Sequence, residues 1–310
     1  MAAGKRIGVD LGGMSVKIGV VSEDNQIVER VTLPMNRNKP FKEAVKEIAE
    51  AVLAMGAVAS VGFGIPSTLI PGSQVIIHAN NLGWKHCDIR KELKKYMGET
   101  PVYLANDADC AAVGELIHGA AKKVKSCLML TLGTGIGGSY IHNGKLFLGG
   151  NGIGLEPGHM VIHDHGKPCS CGKIGCLETY ASATSLMEEA ERSNSPVLQR
   201  MISENQGRPN AKMVFDASAM NDPAANLILE EYIRHLAIGI SNLIAVFGPE
   251  RVVIGGGVSA AGDQLFIPLQ KAVYKMVDEP ELVGCPDIVP AILGNDAGII
   301  GAAMLDKVMM

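Results

Sequence analysis

Ile7-Gly-Val-Asp10-Leu-Gly-Gly-Met-Ser-Val-Lys17-Ile-Gly-Val20 is a β-rich run, a Gly-Gly turn and a second β-rich run. Leu128-Met-Leu-Thr-Leu-Gly133-Thr-Gly-Ile-Gly-Gly138-Ser-Tyr-Ile141 repeats the plan. A strand that enters a glycine turn and leaves as a strand is a hairpin signature, and its recurrence predicts two related halves. Around the first hairpin the pattern predicts helices over 41–53, 89–97 and 109–118 and strands over 58–65 and 102–104. Around the second it predicts strands over 127–131, 139–141 and 252–254. A long helix is expected over 223–247, with Asp222 as N-cap, Pro223 at its first position and Gly248-Pro249 as the stop. Its apolar positions 229, 233, 236, 240, 243 and 247 form one stripe. A last helix is expected over 296–308. Strands alternating with helices argue for an α/β fold. The domain boundary is placed near Gly119: a smaller domain over 1–118, joined by 296–310, and a larger one over 119–295.

The 310 residues fit about two domains at roughly 100–200 residues each. With 28 Lys and Arg against 32 Asp and Glu, the net charge of −4 leaves no basic field for a nucleic-acid backbone. One Trp and 4% aromatics exclude a base-stacking platform. The 37 glycines lie in clusters, which rules out collagen-like and linker readings. The N-terminus has no apolar targeting region. Residues 51–78 lack Asp, Glu, Lys and Arg, but Gly56, Gly62, Gly64, Pro66 and Pro71 break them into a helix end, a buried strand and a loop. No membrane partner is expected, and the cytoplasm is the expected location.

Three loops are suited to anions. The Asp10–Lys17 turn offers backbone N–H groups, with Asp10 for a hydrated Mg²⁺ and Lys17 for a phosphate. The loop with Gly133, Thr134, Gly135 and Gly137 is denser. A dinucleotide-binding reading of it fails, because a strand and not a helix follows the glycines. Gly255-Gly256-Gly257 after a strand is the third. Asn106-Asp107-Ala-Asp109 follows the strand at 102–104, where α/β folds place catalytic carboxylates, and one of the two aspartates is expected to cap the next helix.

Seven cysteines without a secretion signal argue against a disulfide framework. Cys169, Cys171 and Cys176 lie within eight residues, and with one histidine they make a closed Cys₃His set for structural Zn²⁺. Residues 159–165 alternate like a strand, so His159, His163 and His165 share a side and spacing alone does not choose among them.

Together, Asp10-Leu-Gly-Gly13, Gly64-Ile-Pro66, Asn81-Leu82, Asn106-Asp107, Leu132-Gly-Thr-Gly-Ile-Gly137, Glu156-x-Gly-His159, Cys169-x-Cys-Gly-x-x-Gly-Cys-Leu-Glu178 and Ile254-Gly-Gly-Gly257 resemble the ROK family of sugar kinases and sugar-sensing repressors. The resemblance implies an actin-like (ribonuclease H-like) two-domain fold with a nucleotide and sugar cleft, and an ATP-dependent kinase that phosphorylates a hexose, glucose at O6. It makes Asp107 the general base. Gly64, Asn81, Asn106, Asp107, Glu156, His159 and Glu178 become the sugar site. Asp10, Gly12, Gly13, Lys17, Gly133, Thr134, Gly135, Gly137, Gly256 and Gly257 become the nucleotide site. It also chooses His159 as the zinc ligand and implies a homodimer. Met14 and Asp109 depart from the family's usual Thr and Asn, and Ser139 and Tyr140 from the small and aliphatic residues often seen after the second glycine loop.

N-acetylmannosamine, N-acetylglucosamine, allose and fructose are alternative acceptors, and polyphosphate is an alternative donor. A sugar-sensing regulator is the alternative of a different class. It is disfavoured because Asp10 lies too near the start to leave room for a DNA-binding domain ahead of it.

Overall fold

A computed structural model describes residues 5–70, 75–150 and 154–309. The first hairpin is β1 (Lys5–Leu11) and β2 (Ser15–Val21), followed by β3 (Ile27–Pro34) and β4 (Val58–Ile65). Next come β5 (Thr68–Ile70), β6 (Val75–Ala79), β7 (Trp84–Asp88) and β8 (Val102–Asn106). The second hairpin is β9 (Cys127–Leu132) and β10 (Ile136–His142), followed by β11 (Lys145–Leu146), β12 (Arg251–Gly255) and β13 (Asp287–Pro290). One sheet runs β3-β2-β1-β4-β8 and the other β11-β10-β9-β12-β13. Numbered within its own half, each sheet reads 3-2-1-4-5. The repeat seen in the sequence is thus a duplicated sheet topology, as the actin-like expectation requires.

The chain divides into two compact units. One is Met1–Cys127 with Ser139–Leu155 and Ile292–Met310, and the other is Leu128–Gly138 with Glu156–Ala291. The first unit therefore ends at Cys127, beyond 118, and takes back a stretch from the second hairpin.

In the first unit the helix Phe41–Ala54 buries Ala44, Val45, Ile48, Ala49 and Val52, the stripe its spacing dictates. Full burial of a Val or Ile side chain stabilises by about 1.5–3 kcal/mol. The C-terminal helix Ala297–Ala303 lies directly on β1 and β4. A Cβ on Gly8 would come 2.8 Å from the Ile299 carbonyl carbon, and one on Gly62 would overlap the Ala302 carbonyl. Only glycine in both strands lets that helix settle so close.

Several expected elements differ. The last helix is two pieces, Ala297–Ala303 and Leu305–Val308, and Asp296 belongs to a preceding 3₁₀ turn. The stretch read as a loop before His78 holds β5 and β6, which pair in a small β5-β6-β7 sheet; Pro71 lies outside the described residues. β3 has no strong sequence signature because it is a largely exposed edge strand, held by its ladder to β2. The long helix is as expected: Asp222 accepts from the Ala225 N–H at 2.8 Å, and Gly248 ends it in the left-handed region.

Candidate active site

β1, β4 and β8 are parallel, and their register aligns residues far apart in sequence. Asp10 lies opposite Gly64, Gly64 opposite Ala105, and Ile65 opposite Asn106. On the other side of β1, β2 sets Lys17 opposite Asp10. The row lies toward the carboxyl ends of the parallel strands, where α/β sheets carry their sites.

Asp107 opens the helix Asp107–His118, two residues earlier than expected, and neither aspartate is its cap. The cap is Asn106, whose side-chain oxygen accepts from the Ala108 N–H at 2.8 Å while its Nδ2 donates to the Ser67 carbonyl at 3.3 Å. A neutral amide thus meets the orphan N–H, which the Asp107 carboxylate only shares at 3.0 Å. Asp107 is exposed to solvent. Desolvation by the surrounding protein, helped by the charge of Asp10, raises its pKa above the ordinary carboxylate value, and the Ala108 N–H opposes the rise. Asp109 turns into the core, 4% exposed. Gly64 serves close approach here, because a Cβ there would lie 3.1 Å from Cys110 Sγ and 3.8 Å from Asp107 Cα. Lys17 Nζ lies 3.4 Å from Asp10 Oδ2, so its partner in this structure is a carboxylate. The other oxygen of Asp10 has no hydrogen-bond partner among the described residues.

Both hairpin turns leave backbone N–H groups without a protein acceptor among the described residues. In the first, the Gly12 N–H donates to the Ser15 carbonyl at 2.9 Å and the Met35 N–H to the Met14 carbonyl at 3.0 Å. The N–H groups of Gly13 and Met14 find no acceptor among the described residues. Gly13 packs on the backbone of Asn81, where a Cβ would come 3.2 Å from the Asn81 carbonyl oxygen. Asn81, in the 3₁₀ turn Asn80–Leu82, is exposed beside it.

In the second unit the Gly133–Gly135 turn is held from behind. The Gly133 carbonyl accepts from the Ala183 N–H at 2.8 Å, and the Thr134 carbonyl from Thr184 Oγ1 at 2.7 Å. The Ile136 N–H donates to Glu178 Oε2 at 2.9 Å. The N–H groups of Thr134 and Gly135 have no acceptor among the described residues, so the turn presents donors outward. Nothing in the motifs pointed to Thr184 or to Glu178 as braces of this loop. Gly137 continues into β10. Gly256, at φ +84°, packs on Leu132 and opens the 3₁₀ turn Gly257–Ala261.

The predicted strand at 159–165 does not form. Pro157–His159 is a 3₁₀ turn, Val161 makes only an isolated bridge to Cys176, and so the three histidines part ways. His163 packs on Tyr180 and His235, and His165 is exposed beside Asp164. His159, Cys169, Cys171 and Cys176 place their ligand atoms within 4.8 Å of one another. His159 Nδ1 lies 3.6 Å from Cys169 Sγ, and Cys171 Sγ lies 3.7 Å from Cys176 Sγ. A tetrahedral Zn²⁺ with Zn–S of about 2.3 Å sets two sulfurs ~3.8 Å apart, so the cluster fits the ion. Burial and the neighbouring sulfurs push the Cys176 thiol up to about 12, so a bound cation is what would make this set of thiolates stable. Glu156 is exposed just ahead of the turn, its side chain uncommitted to the cap.

A model of the ROK family matches residues 6–308. A glucokinase of Thermotoga maritima is 36% identical over 310 residues, covering 98% of this chain and 97% of the relative. Among solved structures, a ROK family glucokinase from Streptomyces griseus in complex with glucose and AMPPNP superposes with TM-score 0.79 at 30% identity, covering 97% of this chain and 99% of that one. A ROK hexokinase from Thermus thermophilus gives TM-score 0.82 at 30% identity, covering 97% of each chain. With a family match across nearly its whole length and a full-length relative above a third identical, the chain belongs to the ROK family.

Proposed function

We propose that this chain is an ATP-dependent hexose kinase, a glucokinase, that transfers the γ-phosphoryl group to O6 of glucose. The observation that carries the proposal is the row at the carboxyl ends of β1, β4 and β8, where Asp107 is presented beside Asp10 on a helix start capped by Asn106. In the reaction Asp107 accepts the O6 proton as the oxygen attacks phosphorus, the bond to the β–γ bridging oxygen breaks, and ADP leaves. A carboxylate whose pKa is raised by desolvation is a better proton acceptor than one in water, and a positioned base contributes ~10²–10⁴ in rate.

Phosphoryl transfer needs charge neutralisation and positioning more than covalent help. The outward N–H groups of the Gly12–Met14 and Gly133–Gly135 turns, with Lys17, are suited to phosphate oxygens, and Gly256 and Gly257 to the nucleoside end. The free oxygen of Asp10 is the residue atom that would hold hydrated Mg²⁺, which when bound neutralises phosphate charge. Asn81, Asn106, Glu156, His159 and Glu178 supply donors and acceptors for sugar hydroxyls. Glu178 commits one oxygen to the Ile136 N–H and keeps the other for a hydroxyl. His159 turns Nδ1 into the cysteine cluster, which leaves Nε2 for the sugar. The Cys₃His set would hold a structural Zn²⁺, with no position left for water, and so fix the segment that carries His159 and Glu178.

The test is sugar-phosphate formation by metal-replete protein, with Mg·ATP or with polyphosphate as donor, against glucose, N-acetylmannosamine, N-acetylglucosamine, allose and fructose. Turnover is expected with ATP and glucose and is expected to drop by ~10²–10⁴ in Asp107→Asn. Silence with every sugar, alongside sugar binding by calorimetry, would favour a sensor and overturn the kinase reading.

A further inference from the structure

Three consecutive peptide planes make the turn from Gly133 to Ile136, and each is held from behind by a different group. In a planar trans peptide the C=O of one residue and the N–H of the next point opposite ways, so a donor that fixes the carbonyl also aims the N–H. The Ala183 N–H, 2.8 Å from the Gly133 carbonyl, aims the Thr134 N–H outward. The Thr184 hydroxyl, 2.7 Å from the Thr134 carbonyl, does the same for the Gly135 N–H. The third plane is held at both ends. The Gly135 carbonyl accepts from the Gly133 N–H at 3.0 Å, and the Ile136 N–H donates to Glu178 Oε2 at 2.9 Å.

The middle plane is held by a side chain alone. Among the described residues its one hydrogen bond is to the Thr184 hydroxyl, because the Gly135 N–H has no acceptor. Turning this plane over rotates ψ of Thr134 and φ of Gly135 together, and glycine has no Cβ to resist the new φ. Turned over, the plane presents the Thr134 carbonyl oxygen where a donor had been, and an oxygen there repels a phosphate. Thr184 is half-buried in the first turn of the helix Ala183–Arg192. Ser182 fixes the start of that helix by accepting from the Ser185 N–H at 3.1 Å. The hydroxyl is therefore delivered from an ordered element, which is what precise placement of a loop requires.

We propose, resting on the kinase reading above, that Thr184 is a positioning residue for phosphoryl transfer: a latch that keeps the Thr134–Gly135 peptide with its N–H toward the nucleotide phosphates. The test is calorimetric titration of Mg·AMPPNP, without sugar, into the metal-replete full chain, with glucose titrated separately in the absence of nucleotide. Thr184→Val keeps the β-branched shape and removes the donor, while Thr184→Ser keeps the donor. Exchanging an N–H for a carbonyl against a charged oxygen is expected to weaken AMPPNP binding by Thr184→Val about tenfold or more. Thr184→Ser is expected to stay within about twofold of wild type, since its hydrogen bond survives. Glucose affinity is expected to be unchanged in both. Should Thr184→Val fail to fold, Thr184→Ala, which removes the hydroxyl and adds no bulk, decides in its place. Wild-type AMPPNP affinity in the valine or alanine variant, the same loss in Thr184→Ser, or a parallel loss of glucose affinity would overturn the latch and leave the kinase reading standing. A wild-type protein that binds glucose but no AMPPNP would overturn the nucleotide reading, and the latch with it.

Discussion

Gly135 and Glu178 define a two-residue lock on the second glycine turn. Gly135 is not in the left-handed region, so alanine is tolerated there by the backbone and only space decides. A Cβ at 135 would overlap Glu178 Oε2 and lie 3.0 Å from its Cδ, and its three nearest neighbours belong to that one side chain. Gly135→Ala therefore forces the carboxylate away and breaks its 2.9 Å bond to the Ile136 N–H. Hydrogen bonds to a charged group contribute about 1.5–3 kcal/mol, which corresponds to roughly a ten- to hundredfold change in an equilibrium constant. If that bond holds the turn ready for a phosphate, Gly135→Ala weakens AMPPNP binding by about that factor. Glu178→Ala does the same by removing the acceptor. In the double variant the new methyl has room and the bond is already gone, so the loss equals that of either single change. The cycle is measured by calorimetry with AMPPNP and no sugar, which separates the loop from any role of Glu178 toward the acceptor. Additive losses, or a Gly135→Ala protein that binds AMPPNP as tightly as wild type, would refute the reasoning.

Other expectations rest on different parts of the molecule. The general base must be ionised, so kcat/KM for the sugar falls as pH drops through the raised pKa of Asp107. Asp10→Asn, which removes a negative charge that helps raise it, shifts this acid limb to lower pH, read from the shape of the profile and not its height. Metal analysis should find one zinc per chain, and its removal by a strong chelator should make Cys169, Cys171 and Cys176 titratable while sugar affinity falls. Glu115 is fully buried, and its two oxygens accept from the Ala120, Ile292 and Leu293 N–H groups at 2.7, 3.0 and 2.9 Å. Glu115→Ala removes this shared acceptor, so a lower thermal midpoint and a loss of about 3 kcal/mol in denaturant unfolding are expected. Gly62→Ala drives a methyl into the backbone of the helix Ala297–Ala303, where a rigid carbonyl cannot yield, and should cost at least ~1–3 kcal/mol by the same assay.

Periodicity and punctuation were enough for the local elements that bury one face. The long helix announces itself through Asp222, Pro223, its apolar stripe and Gly248, because caps and burial both act within a few residues of chain. The two glycine hairpins reveal a duplicated sheet for the same reason, and the crowded Cys169, Cys171 and Cys176 announce a cysteine cluster through spacing that only a tight turn can bridge. Tertiary structure decided what depends on neighbours remote in sequence. Which histidine joins the cysteines follows from a 3₁₀ turn at Pro157–His159 that ends the apparent alternation. That Asn106 caps its helix in place of an aspartate depends partly on the Ser67 carbonyl, which fixes its amide. The role of Glu178 as a brace needed a loop more than forty residues upstream to fold against it. The alignment of Asp10, Gly64 and Ala105, one residue ahead of Asn106, exists only because parallel pairing, with its helical crossovers, brings the same ends of three separate strands together, and register is a property of the sheet that no single strand contains.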